Sequence, residues 1–177
     1  MKLPDIKKFY ERLFQTTPDL FMGRLTLGKA ELSAIHYDKY GNVIKDYGVI
    51  SRKKVTGAFV TDIVANMVTD TTAFGDYKYH DCGTGSTAEA NTQTALVTPF
   101  GGARVAGTQV AGGTATAPTY TSVATISFTS TLAIVEHAIF NASTVGTMLD
   151  RSLFAAINVV SGDSIQFSYI LTINAEA

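Results

Sequence analysis

A mainly β fold is predicted by three features of this 177-residue sequence: an antiparallel sandwich of Greek-key or jelly-roll kind, with a short helix and an extended N-terminal arm. First, Ile165, Phe167, Tyr169, Leu171 and Ile173 share one face of SIQFSYILTIN while Gln166, Ser168 and Thr172 take the other, broken by Ile170. Second, Ala124, Ile126 and Phe128 alternate with Thr125, Ser127 and Thr129. A two-residue period of this kind belongs to a sheet with one wet face. Third, LAIVEHAIF and RSLFAAINVV are apolar runs of strand length, and SGDS at 161–164 supplies a turn.

Taken in order, Pro4 opens a stretch in which Ile6, Phe9, Tyr10, Leu13 and Phe14 recur at spacings of three and four before Pro18. That pattern predicts a short amphipathic helix, which at this length needs a partner surface. RLTLGKAELSAIHYD and VIKDYGVISRK read as two strands around a turn at Gly41-Asn42. Leu32, Ala34 and His36 alternate only loosely, which points to an arm more than to a core strand. Phe59, Ile63 and Met67, four apart with Val60 and Val64 beside them, predict a helix over 56–69 despite its β-branched residues. The glycine-rich stretches GGARVAG and AGGTATAP divide the middle into a strand and a mobile loop. The expected domains are therefore a helix and arm or hairpin over 1–54 and a β-sandwich over 55–177.

Composition narrows the classes of function. Hydrophobic residues make up 46% and charged residues 16%, which describes a packed chain. No apolar run approaches the roughly 18 residues that span a bilayer, so no membrane partner is expected. A single cysteine, Cys82, forms no internal disulfide, and the charged opening segment is unlike a signal peptide, so synthesis and assembly in a cytoplasm are expected. The net charge of −1 conceals an asymmetry. Residues 1–54 carry 11 Lys/Arg against 6 Asp/Glu, and residues 55–177 carry 3 against 9. Basic side chains at Lys7, Lys8, Arg12, Arg52, Lys53 and Lys54 are thus candidates for an interface with a neighbouring subunit. They lie among acids and lack the aromatic platforms of a nucleic-acid surface.

YHDCGTGSTAEANTQTAL, residues 79–96, has the look of an active site. It sets His80, Asp81 and Cys82 beside Gly83-Thr84-Gly85. A cysteine nucleophile needs a lowered pKa, a base and an orienting group, and only the base is suggested here. Residue spacing offers no metal clip, since His36, His80 and His137 lie in separate segments and there is no CxxC. A phosphate loop would require a lysine that GTGST lacks. The stretch reads instead as a strand, a glycine turn and a short capped segment. His137, beside Glu136, is expected to be a strand histidine satisfied by a carboxylate or carbonyl. Asp76, Asp81, Asp150 and Asp163 are expected in solvated turns. No catalytic residue, cofactor or metal is expected, and the chain is not read as an enzyme.

From about residue 56 onwards, the ordered series YKYHDCGTGSTAEANTQTAL, GGARVAGTQ, IVEHAIFNAS and LDRSLFAAINVVSGDSIQFSYILTI resembles a group of small structural proteins of tailed bacteriophages. Arg104, Glu136, Asp150, Arg151, Asn158, Gly162 and Asp163 stand at the polar marks of that pattern, and Asp81-Cys82 replaces its usual small residue. The resemblance implies a virion component, most like a capsid decoration or cement protein that binds the major capsid protein as an oligomer, with trimers common. A tail, baseplate or fibre module is the alternative, with the loop from Gly101 to Pro118 as its binding tip.

Overall fold

A computed structural model of the chain describes residues 26–53, 55–69 and 74–174. The helix expected near residues 6–14, and with it Lys7, Lys8, Arg12 and Lys54, lies outside the described residues. Nine strands and one α-helix follow in order among the described residues: β1 (Thr26–Tyr37), β2 (Val43–Lys53), α1 (Gly57–Thr69), β3 (Tyr79–Gly83), β4 (Val105–Ala106), β5 (Thr108–Gly113), β6 (Pro118–Ser127), β7 (Leu132–Phe140), β8 (Met148–Val159) and β9 (Ser164–Asn174). They form two antiparallel sheets, ordered β2-β1-β9-β6-β5 and β4-β3-β7-β8. The two inner faces share one apolar core in a sandwich-like arrangement. No described helix is long and apolar enough to cross a membrane.

The larger sheet follows the two-residue period closely. Ile165, Phe167, Tyr169 and Leu171 of β9 are buried, as are Ala124 and Ile126 of β6 and the following Phe128. β1 corrects the arm expectation. It lies between β2 and β9, paired with β9 from Thr26 to Tyr37, and Leu32, Ala34 and His36 are all buried. The loose alternation misled because small Ala30 and Ala34 pack inward as well as larger side chains do where β9 presses close. At the hairpin turn, Asp38 accepts from the amides of Tyr40 and Asn42, and Gly41 takes the left-handed conformation, with φ 83°.

The smaller sheet departs from simple alternation. Register shifts between Ile134 and Glu136, and between Ile139 and Phe140, mark irregularities where β7 meets β8. A bulge reverses the parity of a strand. Ile134, His137 and Ile139 therefore face the inter-sheet core, while Glu136, Ala138 and Phe140 face outward. That outer face is covered by the irregular segment 84–98, whose Leu96 packs with Ala138, Phe140 and Met148. No helical segment forms there for a serine or threonine to cap.

Helix α1 occurs where its spacing predicts, over 57–69. Thr56 caps it, with Oγ1 accepting from the Phe59 amide at 3.1 Å. Phe59 and Asn66 point inward, whereas Met67, expected on the buried stripe, is 81% exposed. The stretch from Gly101 to Pro118 is not one loop: Val105–Ala106 forms β4 and Thr108–Gly113 forms β5, the latter hydrogen-bonded along β6 as an edge strand.

Candidate functional site

Segment 84–98 and the polar marks of β7 and β8 meet in one buried knot. Glu136 is completely buried and accepts hydrogen bonds from the amides of Gly85 (3.1 Å), Val97 (3.1 Å) and Thr98 (2.8 Å). Arg151 faces it across the strand pair, with Nη2 at 2.7 Å and Nε at 2.8 Å from the same carboxylate oxygen. The rest of its guanidinium donates to Thr87 O (3.0 Å), Gln93 Oε1 (3.1 Å) and Gly85 O (3.4 Å). Glu89 reaches back to accept from the Leu153 amide. One ion pair thus satisfies the backbone at both ends of a 15-residue irregular segment and holds it flat on the sheet. Burying two charges is costly, and here the cost is offset by mutual attraction and by donors on nearly every lone pair.

The glycines of GTGST follow from the same geometry. A Cβ on Gly85 would lie 2.5 Å from Glu136 Oε1 and 2.8 Å from Thr98 N, and one on Gly83 would lie 2.7 Å from that Glu136 oxygen and closer still to Thr98 O. Their role is close approach of backbone to backbone and to a carboxylate. Gly85→Ala is expected to lower stability by about 1–3 kcal/mol in urea unfolding, as overpacking does. Gly75→Ala, which meets nothing within 4 Å, serves as the neutral control.

The reactive-looking residues lie on the other face of β3, inside the sandwich. His80 Nδ1 and His137 Nε2 are 3.0 Å apart, and His80 Nε2 is 2.8 Å from Ser122 Oγ on β6. His137 rests on the Phe167 ring, 4.5 Å between centroids. Both histidines and Cys82 are fully buried. Burial lowers the His80 pKa to about 3 and holds that of His137 well below its usual value, with each other's proximity adding to the effect on His137. Burial, together with Asp81 and Glu136, pushes the Cys82 thiol up, away from the thiolate that attacks substrates. His137 was expected to lean on a carboxylate or carbonyl; its partner is another histidine, because the irregularity in the β7–β8 pairing leaves Glu136 on the opposite face.

Facing rows of paired residues extend this polar band. Ser51, Leu32, Tyr169 and Ser122 sit abreast across the larger sheet, and Asp150, Ile139 and His80 across the smaller one. Ser152 Oγ donates to Asp150 Oδ1 at 2.7 Å. Burial raises the Asp150 pKa to about 7 and carries that of Tyr169 well above its usual value, the latter also by the nearby Asp150 charge.

Of the four acids expected in solvated turns, three are buried instead. Asp81 pairs with Arg104 (3.5 Å), Asp163 with His36 (2.9 Å), and Asp150 lies within β8. Only Asp76 fits the expectation, its side chain 49% exposed. Arg104 also covers the Phe140 ring at 3.4 Å and donates to the carbonyls of Ala142 and Val145, closing the β7–β8 turn. Of the expected interface residues, Arg52 is exposed and paired with Glu31 at 2.8 Å, and Lys53 lies at the end of the edge strand β2. Among the described residues no group of three or more His, Cys, Asp or Glu side chains is placed to hold a metal ion.

Residues that sequence reasoning passed over as chemistry, Glu136 and Arg151 above all, thus form the centre of the arrangement. Their signal was a charge inside an otherwise apolar strand, which is tolerated only when paired. Compared with protein-family models, curated proteins and solved structures, the chain gives no significant match.

Proposed function

We propose that this chain is a non-enzymatic structural protein of a bacteriophage virion, a capsid decoration protein that binds the major capsid shell as a homo-oligomer. The observation that carries the reading is the convergence of three motifs on one latch. The GTGSTAEANTQTAL segment, Glu136 of the IVEHAIF strand and Arg151 of the LDRS strand are the parts that meet, and they meet to hold a surface segment in shape. The sandwich is read as a Greek-key or jelly-roll variant. Assembly would take place in the host cytoplasm, on the surface of the maturing head, with a trimer as the expected oligomer.

The free edges suit a protein that works by contact. β2 carries Lys45 and Arg52 and three register shifts against β1, features that discourage strand pairing. β8 is bridged by Val55 and capped by Glu89. β5, TQVAGG, is uncharged and exposed, and among the described residues no strand pairs with its outer side, which suits a strand from another chain. The same edge would serve the alternative, a tail or fibre module whose tip is the β5–β6 hairpin. Quantitative mass spectrometry of purified particles separates the two. A copy number that scales with the shell subunits is expected, and one fitting a single tail would contradict the head assignment. Because β1 is a central strand, a truncation that probes the basic N-terminal segment should end at residue 25 and leave the sheet whole.

A further inference from the structure

We propose that copies of this chain join head to tail, the β1–β2 hairpin end of one subunit seating on helix α1 of the next. Both surfaces are apolar and face outward. At the hairpin end Tyr40, Val43 and Ile44 are each more than half exposed. On α1, Val60, Val64, Met67 and Val68 lie at i, i+4, i+7 and i+8, and the last three are more than half exposed. The inward side of that helix is already spent on Phe59 and Asn66. Clustered apolar side chains of this kind, on the outer side of a short helix and at a hairpin end, are out of keeping with a solvated surface.

The hairpin end is held in shape before it binds. Asp38 accepts from the amides of Tyr40 (2.8 Å) and Asn42 (2.9 Å) and from the Asn42 side chain (3.0 Å), so little ordering is left for docking to impose. Ile44 is the extra residue at the register shift between His36 and Tyr37, and a bulge of this kind re-aims a side chain. Lys39 and Lys45 lie over the rings of Tyr40 and Tyr47, 4.9 Å and 4.4 Å from the centroids, and among the described residues neither is in an ion pair. The flanking Asp38 and Asp46 turn to backbone amides instead.

The occupant is a second copy because the α1 region supplies the complement. From Lys39 to Lys45 the sequence holds two lysines and no acid, whereas from Val55 to Asp76 it holds acids and no lysine or arginine. Tip-to-tip pairing would set like charges against each other. Within one chain the two surfaces lie at opposite ends: β2 runs 11 residues, roughly 33 Å, from the hairpin end before α1 begins at Gly57. The same separation appears along β8. Thr56 donates to Leu149 O (2.9 Å) near its start, and beyond its far end a Cβ on Gly162 would lie 2.9 Å from Lys39 Cβ. A head-to-tail contact covers every tip and every helix only when a ring closes, as it does in the trimer proposed above.

This contact rests on the homo-oligomer part of the reading above, and the test separates the two. In sedimentation velocity the full-length protein is expected to run as an oligomer, and Ile44→Asp and Val64→Asp, both at exposed positions, are each expected to run as monomers. Val145→Asp, at an exposed position between β7 and β8, should leave the oligomer unchanged. The double variant Val43→Cys with Val64→Cys, oxidised mildly and then quenched with an alkylating agent, should give covalent oligomers on a denaturing gel. Each change alone should give single chains, because the native Cys82 is buried. An oligomer that survives both aspartates, a double variant that stays single-chain, or cross-linking of either single variant overturns the contact and leaves the homo-oligomer standing. An unaltered protein that runs as a monomer overturns both.

Discussion

Replacing Arg151 with methionine is expected to cost about 3–5 kcal/mol of unfolding free energy, more than any other single substitution in the latch. The change keeps most of the apolar stem but leaves Glu136 buried with no opposite charge, and it strips hydrogen bonds from Thr87, Gln93 and Gly85. Urea unfolding followed by far-UV circular dichroism checks it. The double variant Arg151→Met with Glu136→Gln should recover part of the loss. An amide side chain still accepts from the Thr98 and Gly85 amides and carries no charge to strand. If the double variant were the sum of its parts, the two side chains would not be coupled and the latch would be wrongly described.

Acid and the Asp150 position should give the second large effect. His80 has a folded pKa near 3 against 6.5 unfolded, so between those values the unfolded chain takes up a proton that the folded chain refuses. Stability therefore falls as pH drops through that window, by up to about 5 kcal/mol from His80 alone, and His137 acts in the same direction. Asp150 opposes them. Its folded pKa of about 7 lies above the unfolded 3.8, so in that range the folded chain binds the extra proton and stability rises as pH falls. Wild-type stability should decline gently from pH 6.5 to about 4 and then steeply, once Asp150 no longer offsets the histidines. Asp150→Asn keeps the Ser152 contact and removes the buried charge. It is expected to stabilise the protein above pH 7 by up to about 4 kcal/mol and to start the acid decline earlier. A loss of stability at pH 8 in that variant would mean that the fold uses the Asp150 charge. Ser122 Oγ lies 2.8 Å from His80 Nε2 and Ser152 stands opposite His137 in the β7–β8 register, and neither carries a charge.

How much of this was legible in the sequence depends on periodicity. β6 and β9 were readable because a half-buried strand repeats every two residues without interruption, and α1 because its pattern runs for three turns. β1 was harder, since Ala30 and Ala34 contribute little hydrophobic signal although both are buried against the core. The knot was hidden by the bulges of β7 and β8. Unbroken alternation from Ile134 would place Glu136 inward and His137 outward, and the register shift between Ile134 and Glu136, where β8 runs four residues against two of β7, reverses both. The buried positions of Asp81, Asp150 and Asp163 were equally out of reach, because their partners Arg104, Ser152 and His36 come together only through pairing of strands distant in sequence, or, for Ser152, through a face that the bulge decides. The neighbours that require Gly83 and Gly85, Thr98 and Glu136, appear only in three dimensions.

The fold thus buries His80, His137 and Cys82 inside the sandwich and uses the buried Glu136–Arg151 pair to fasten segment 84–98. Hydrogen exchange at the amides of Gly85, Val97 and Thr98 tests that statement most directly. Exchange as slow as that of the β7–β8 amides is expected in the unaltered protein. In Arg151→Met those three amides should become fast while the strand amides remain protected. Exchange at the rate of an open loop in the unaltered protein would mean that Glu136 does not hold the segment.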